Sequence, residues 1–144
     1  MYSKRVNFKT KGVKWLLLKK RFHFHSAHYL PSYKGKCEEL HGHTYKLEVT
    51  VEGQPDSEGM IIDFADLKRI VKEEIIKKLD HKLLNDIIKI PSAEYIGVWI
   101  FEKLSKRLSK EFPQVKLVSV ELWETETSSV VIYEYDVKRC SKRI

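Results

Sequence analysis

Asparagine and glutamine are scarce in this chain, two of each, against 27 lysines and arginines and 20 aspartates and glutamates. A polar surface made of charges rather than amides suits a thermophilic source. Cysteine is limited to Cys37 and Cys140, which excludes a disulfide framework and fits a reducing, cytoplasmic compartment. Long apolar runs are missing. Trp15-Leu16-Leu17-Leu18 is too short for a signal-peptide core or a membrane span, so neither a targeting signal nor a membrane partner is expected. Repeats, low-complexity segments, a dense arginine stripe and an aromatic nucleic-acid platform are also missing. The net charge of +7 and the pI near 9.3 therefore point to a small polyanion, such as a triphosphate, rather than to nucleic acid.

What is present suits one domain with a full core in 144 residues. A basic N-terminal extension covers residues 1–14, the domain 15–135, and a basic tail, expected to fray, 136–144. A first strand runs from about Trp15 to His28. A Pro- and Gly-marked loop follows, then a second strand over 41–52, where Tyr45, Leu47, Val49 and Val51 alternate with polar residues. Asp63 caps a helix whose stripe is Phe64, Leu67, Val71, Ile75 and Leu79, leaving Asp80-His81 just beyond its end. Pro91-Ser92 opens a second helix with Ile96, Ile100, Leu104 and Leu108 inward, and Glu94 in its first turn is accounted for by the helix dipole. In a third strand, over 117–125, Val118, Val120 and Leu122 share a face that Glu124 continues. Residues 129–135 return as its hairpin partner. The order ββααββ predicts an α+β fold, a four-stranded antiparallel sheet with both helices on one face.

The chemistry-bearing residues gather around Cys37-Glu38-Glu39-Leu40-His41-Gly42-His43. In a strand, residues i and i+2 share a face, so His41 and His43 point the same way. Their Cα atoms should stand roughly 6.6 Å apart. By the same alternation Phe22, Phe24 and His28 go inward, while His23 and His25 face out. Three same-face imidazoles are the donor set of a catalytic zinc site with an open position, or a set of buried histidines satisfied by hydrogen bonds. Cys37 is equally readable as a reactive thiol or an inert small core residue.

Several motifs in order resemble the 6-pyruvoyltetrahydropterin synthase family, which includes 6-carboxytetrahydropterin synthase. They are Phe24-His25-Ser26-Ala27-His28, Cys37 to His43, Ile62-Asp63-Phe64, Leu79-Asp80-His81, Leu84-Asn85, Pro91-Ser92-Ala93-Glu94 and Glu124-Thr125. The resemblance spans about Phe22 to Tyr135. It implies the tunnelling fold, in which sheets from several subunits join into a barrel, and a homohexamer of two stacked trimers with interfacial active sites. It implies Zn2+ on His28, His41 and His43, and 7,8-dihydroneopterin triphosphate as substrate. Cys37 would then act as thiolate base and Asp80 would orient His81 for proton relay. Glu124 would accept the paired N–H groups of the pterin, with Ser92 helping to hold it. Lys34 and Lys36 are candidate triphosphate contacts.

Glu38, directly after Cys37, is either a second base or a solvated loop charge. Some members of the family use a glutamate at this place to release 6-hydroxymethyl-dihydropterin. The spacing from Cys37 to His41 most resembles the carboxytetrahydropterin enzymes, so a queuosine-type reaction is expected. Triphosphate elimination to 6-pyruvoyltetrahydropterin, the hydroxymethyl product, and a non-catalytic zinc- or pterin-binding module are the alternatives.

Overall fold

The computed structural model describes residues 15–31 and 39–140. Lys34, Lys36, Cys37 and Glu38 lie outside that range, as do the extension over 1–14 and residues 141–144. Two 13-residue strands, β1 (Leu16–His28) and β2 (His41–Gly53), form an antiparallel ladder with Leu16 opposite Gly53 and His28 opposite His41. Asp63 then caps helix α1 (Phe64–Val71), its carboxylate accepting from the Ala65 N–H at 2.8 Å. The helix runs on through a π-helical turn at Lys72–Ile76 and a last turn at Lys77–Leu79.

After it come a two-residue strand β3 (Lys82–Leu83), a 3-10 turn (Leu84–Asp86) and helix α2 (Ala93–Glu111). Ser92 caps α2, its hydroxyl accepting from Tyr95 N. Strands β4 (Lys116–Trp123) and β5 (Ser129–Tyr133) and helix α3 (Glu134–Cys140) complete the chain.

The sheet has five strands in the order β3-β1-β2-β4-β5, not the four expected. The extra strand pairs in parallel with β1 through Ser26–Lys82 and Ala27–Leu83, so the sheet is mixed. Two residues are too few to show an alternation, which is why the pattern hid it. The hairpin partner stops at Tyr133. Its N–H donates to the Asp136 carboxylate at 2.8 Å, and the chain turns into α3 where fraying was expected over 136–140. Lys138 and Arg139 sit in the last turn of α3, favourable for its dipole, and Val137 and Cys140 rest on the core.

One face of the sheet packs on the helices. Phe24, Tyr45, Leu47, Val49 and Val120 join Leu67, Ile75, Ile96, Ile100 and Leu104 in a single core, where burying each such side chain contributes about 2 kcal/mol. Two expectations shift. Thr50 faces Ser119 while Val51 faces Leu117, so Val118 is the extra residue of a β-bulge. Leu117 turns inward in its place and Val118 is only half-buried. Phe64 is exposed, with the Lys20 ammonium 5.8 Å from its ring centroid, and the buried stripe begins at Leu67. The opposite face of β1 presents Lys19, Arg21, His23 and His25 outward.

Candidate metal centre

The β1–β2 register decides the first feature. His28 stands opposite His41, and Ser26 opposite His43, so the three imidazoles meet at one end of the ladder on its helix-covered face. Two of the rings are anchored from behind. Nδ1 of His28 is 2.7 Å from the Pro91 carbonyl, and Nδ1 of His41 is 2.7 Å from the Glu39 carbonyl. A carbonyl can only accept, so both rings carry their proton on Nδ1 and keep a lone pair on Nε2. Those two Nε2 atoms lie 3.0 Å apart. His43 Nε2 is buried with no hydrogen-bond partner among the described residues. One ring nitrogen from each histidine lies within 4.8 Å of the others. An orphaned buried nitrogen beside two inward lone pairs fits a metal ion, and imidazole donors suit zinc.

Electrostatics agree. Burial holds the His43 imidazole below its ordinary range; Glu124 opposes that, and His28 and His41 add to it. The ring is thereby kept neutral, the form that ligates. Glu124 follows β4 directly, and its carboxylate oxygens stand 3.7 Å from His43 Nε2 and 4.0 Å from His28 Nε2. Beneath the rings, Tyr45 is fully buried and its hydroxyl has no partner among the described residues. Burial, then the Glu124 charge, pushes its phenol up.

A model of the family described as 6-pyruvoyl tetrahydropterin synthase matches residues 17–135. The chain belongs to this family. It is 37% identical over 137 residues to a 6-carboxy-5,6,7,8-tetrahydropterin synthase of Haemophilus influenzae, covering 77% of this chain and 94% of the relative. It is 46% identical over 87 residues to a dihydroneopterin monophosphate aldolase of Pyrococcus furiosus, covering 60% of this chain and 72% of the relative. The 6-pyruvoyl tetrahydropterin synthase structure of Caenorhabditis elegans superposes with a TM-score of 0.74 at 25% identity, covering 83% of this chain and 96% of that one. The tunnelling fold and a role in pterin biosynthesis come with the family.

Within this family member the other expected site residues are dispersed. Asp80 and His81 stand across the sheet from the three histidines. Asp80 Oδ1 accepts from the backbone N–H of outward-facing His25 at 2.9 Å, and the His81 ring lies 5.8 Å from the His25 ring. That backbone N–H, and then the His81 side chain, hold the Asp80 carboxyl below its usual range. His81 Nδ1 is 3.1 Å from Asp80 Oδ1, and the His81 side chain is 76% exposed. Ser92 uses its hydroxyl as a helix cap, next to the Pro91 carbonyl that anchors His28. Cys37 and Glu38 lie outside the described residues, two and one positions before Glu39. The sequence reading missed the carbonyl anchors and Tyr45. A carbonyl leaves no trace in residue identity, and Tyr45 reads as an ordinary strand aromatic.

No helix of the described residues is long and apolar enough to cross a membrane.

Proposed function

We propose that the protein is a cytoplasmic, zinc-dependent lyase of the queuosine-type 7-deazapurine pathway. It converts 7,8-dihydroneopterin triphosphate and water to 6-carboxy-5,6,7,8-tetrahydropterin, acetaldehyde and triphosphate. The observation that carries this reading is the convergence of three imidazole nitrogens, one buried and unpartnered, beside the Glu124 carboxylate.

His28, His41 and His43 hold the metal. Zinc, when bound, supplies Lewis acidity toward the two hydroxyls of the substrate side chain. Glu124 accepts the paired N–H groups of the pterin and fixes the ring, with Ser92 bordering it. Cys37, as thiolate, takes the proton from the side-chain carbon. Asp80 holds the His81 imidazole in one tautomer so that it can give and receive protons.

Asp80 and His81 sit on the sheet face opposite their own three histidines, so the reading requires a second copy of the chain. The pair from one subunit serves the metal of its neighbour, as in a hexamer of two trimers whose sheets close into a barrel. A binding module without catalysis would have no use for a thiol and an Asp-His pair.

A second reading is favoured by two observations: Glu38 next to Cys37, and the likeness to the Pyrococcus furiosus aldolase. In it, Glu38 is the base and the product is 6-hydroxymethyl-dihydropterin. The two readings assign the base to different residues, Cys37 in the first and Glu38 in the second. The test is chromatography of the products after the zinc-loaded protein meets dihydroneopterin triphosphate and, separately, the monophosphate. The expected product is 6-carboxytetrahydropterin from the triphosphate, lost in Cys37→Ala and kept in Glu38→Ala. A dominant hydroxymethyl product that disappears in Glu38→Ala moves the protein to the second reading.

A further inference from the structure

His25 has no part in the metal centre, since it faces away from His28, His41 and His43. Nevertheless its polar groups converge on the turn that carries Asp80 and His81. Its backbone N–H donates to Asp80 Oδ1 at 2.9 Å, and its carbonyl accepts from the His81 N–H at 2.6 Å. Next to it, the Ser26 hydroxyl donates to the Leu79 carbonyl at 2.5 Å. These contacts hold a costly conformation. His81 has φ +57°, the one positive value at a non-glycine position among the described residues. Any residue at position 25 would supply the backbone share of this clamp, but the imidazole supplies something more.

The His25 ring is itself seated. Its Nδ1 is hydrogen-bonded to Thr44 Oγ1 at 3.0 Å, across the register pair His25–Thr44. His23 flanks it edge-on with ring centroids 5.7 Å apart. The His81 ring meets it at 5.8 Å and an interplanar angle of 70°, an edge-to-face geometry that fixes one ring plane by the other. His25, Thr44, His81 and Lys82 line one open groove of about 520 Å³, so the His81 imidazole is presented to whatever enters there. The Asp80 carboxylate, 3.1 Å from Nδ1, holds one edge of the His81 ring and the His25 ring meets it from a second direction; a misplacement of about 1 Å can cost roughly 100-fold in rate.

The geometry points to His25, seated by Thr44, as the positioning residue for the His81 imidazole, an assignment that rests on the catalytic role proposed above for the Asp80–His81 pair. His25 touches no reacting atom. It sets where His81 stands, and Thr44 sets where His25 stands.

The test is a double-mutant cycle on the zinc-loaded full-length protein, joined to histidine 13Cε1 NMR of His81. His25→Ala should lower kcat about tenfold while KM stays within about twofold and the zinc content is unchanged. In the His81→Ala background the same change should do nothing further, because the group it positions is gone. Thr44→Val does not touch His81, yet it should shift the His81 resonance and lower kcat in the same direction by a smaller factor. Equal slowing by His25→Ala in both backgrounds overturns the assignment, and so does an unmoved His81 resonance in Thr44→Val. If His81→Ala itself turns over normally, the proposed catalytic role of the pair fails, and the NMR arm alone still decides whether His25 and Thr44 place the ring.

Discussion

The two faces of the β1–β2 ladder hold their chemistry in opposite physical states. On the helix-covered face, His28 is 1% exposed, its ring and that of His41 are anchored by carbonyls, and a carboxylate waits beside His43. On the open face, Asp80 and His81 stand at the surface, on a turn that carries backbone strain. A ligand set benefits from burial, because desolvation favours the neutral imidazole, as at His43, and a rigid frame lowers the cost of gathering the rings. A proton-transferring pair must instead reach a substrate. Within one chain the His81 side chain lies 76% exposed, open to the second copy that the proposed function requires.

The change expected to act most strongly strikes the buried face. His41→Ala should reduce zinc from about one per chain to a trace. Turnover should fall by more than the roughly 10–100-fold typical of losing a ligand's supporting partner. Metal analysis after dialysis checks this, and a variant that keeps a full complement of zinc breaks the contrast at its first term. Next, Glu124→Gln keeps the shape but removes the charge proposed to receive the pterin N–H pair. A charged hydrogen bond contributes about 1.5–3 kcal/mol, so pterin affinity should drop roughly 10–100-fold with zinc content unchanged, as read by calorimetric titration with a pterin.

The open face makes a smaller and opposite prediction. His81→Gly should abolish turnover yet raise stability by about 1 kcal/mol, since glycine adopts positive φ without the Cβ clash. Chemical denaturation measures it. A destabilised glycine variant would mean that the ring contact to His25 outweighs the strain.

The smallest effect lies away from both sites and serves as the control. Arg107 binds Glu73, Glu74 and Glu111 with its three guanidinium nitrogens at 2.7–2.9 Å, tying α1 to α2. The hydrogen bond from Arg107 holds the Glu74 carboxyl below its usual value of 4.5, and those from Arg69 and then Arg107 do the same for Glu111. Carboxyls depressed in the folded state stabilise it above about pH 4.5, and that stability is lost as the pH falls through their lowered values. Arg107→Met should therefore lower the melting temperature modestly at pH 7. The deficit should shrink in acid and in high salt, with zinc binding untouched. Melting curves at pH 7 and pH 3 provide the reading.

Much of this was legible in residue order because strands and helices write their periods into it. Alternation from Tyr45 to Val51 marked β2, and the same rule put His28, His41 and His43 on one face. Asp63 and Ser92 marked two helix starts by their chemistry. The misreadings have a common cause, that a period cannot report a contact. Lys82–Leu83 is a strand only because β1 lies beside it. Val118 falls out of phase only because β4 bulges against β2, and 134–140 coils into a helix that Val137 and Cys140 hold to the core.

The sequence by itself determined the donor set. An imidazole is a ligand by its own chemistry, and i, i+2 spacing orients it once a strand forms. Tertiary structure alone decided which nitrogen of His28 and of His41 is free, because the carbonyls of Pro91 and Glu39 choose the tautomer and both arrive by folding. It also decided that Asp80 and His81 stand across the sheet from that set. The helix that precedes them packs on one face, but their turn crosses to the edge of β1, and the hydrogen bonds of His25 hold it on the other side.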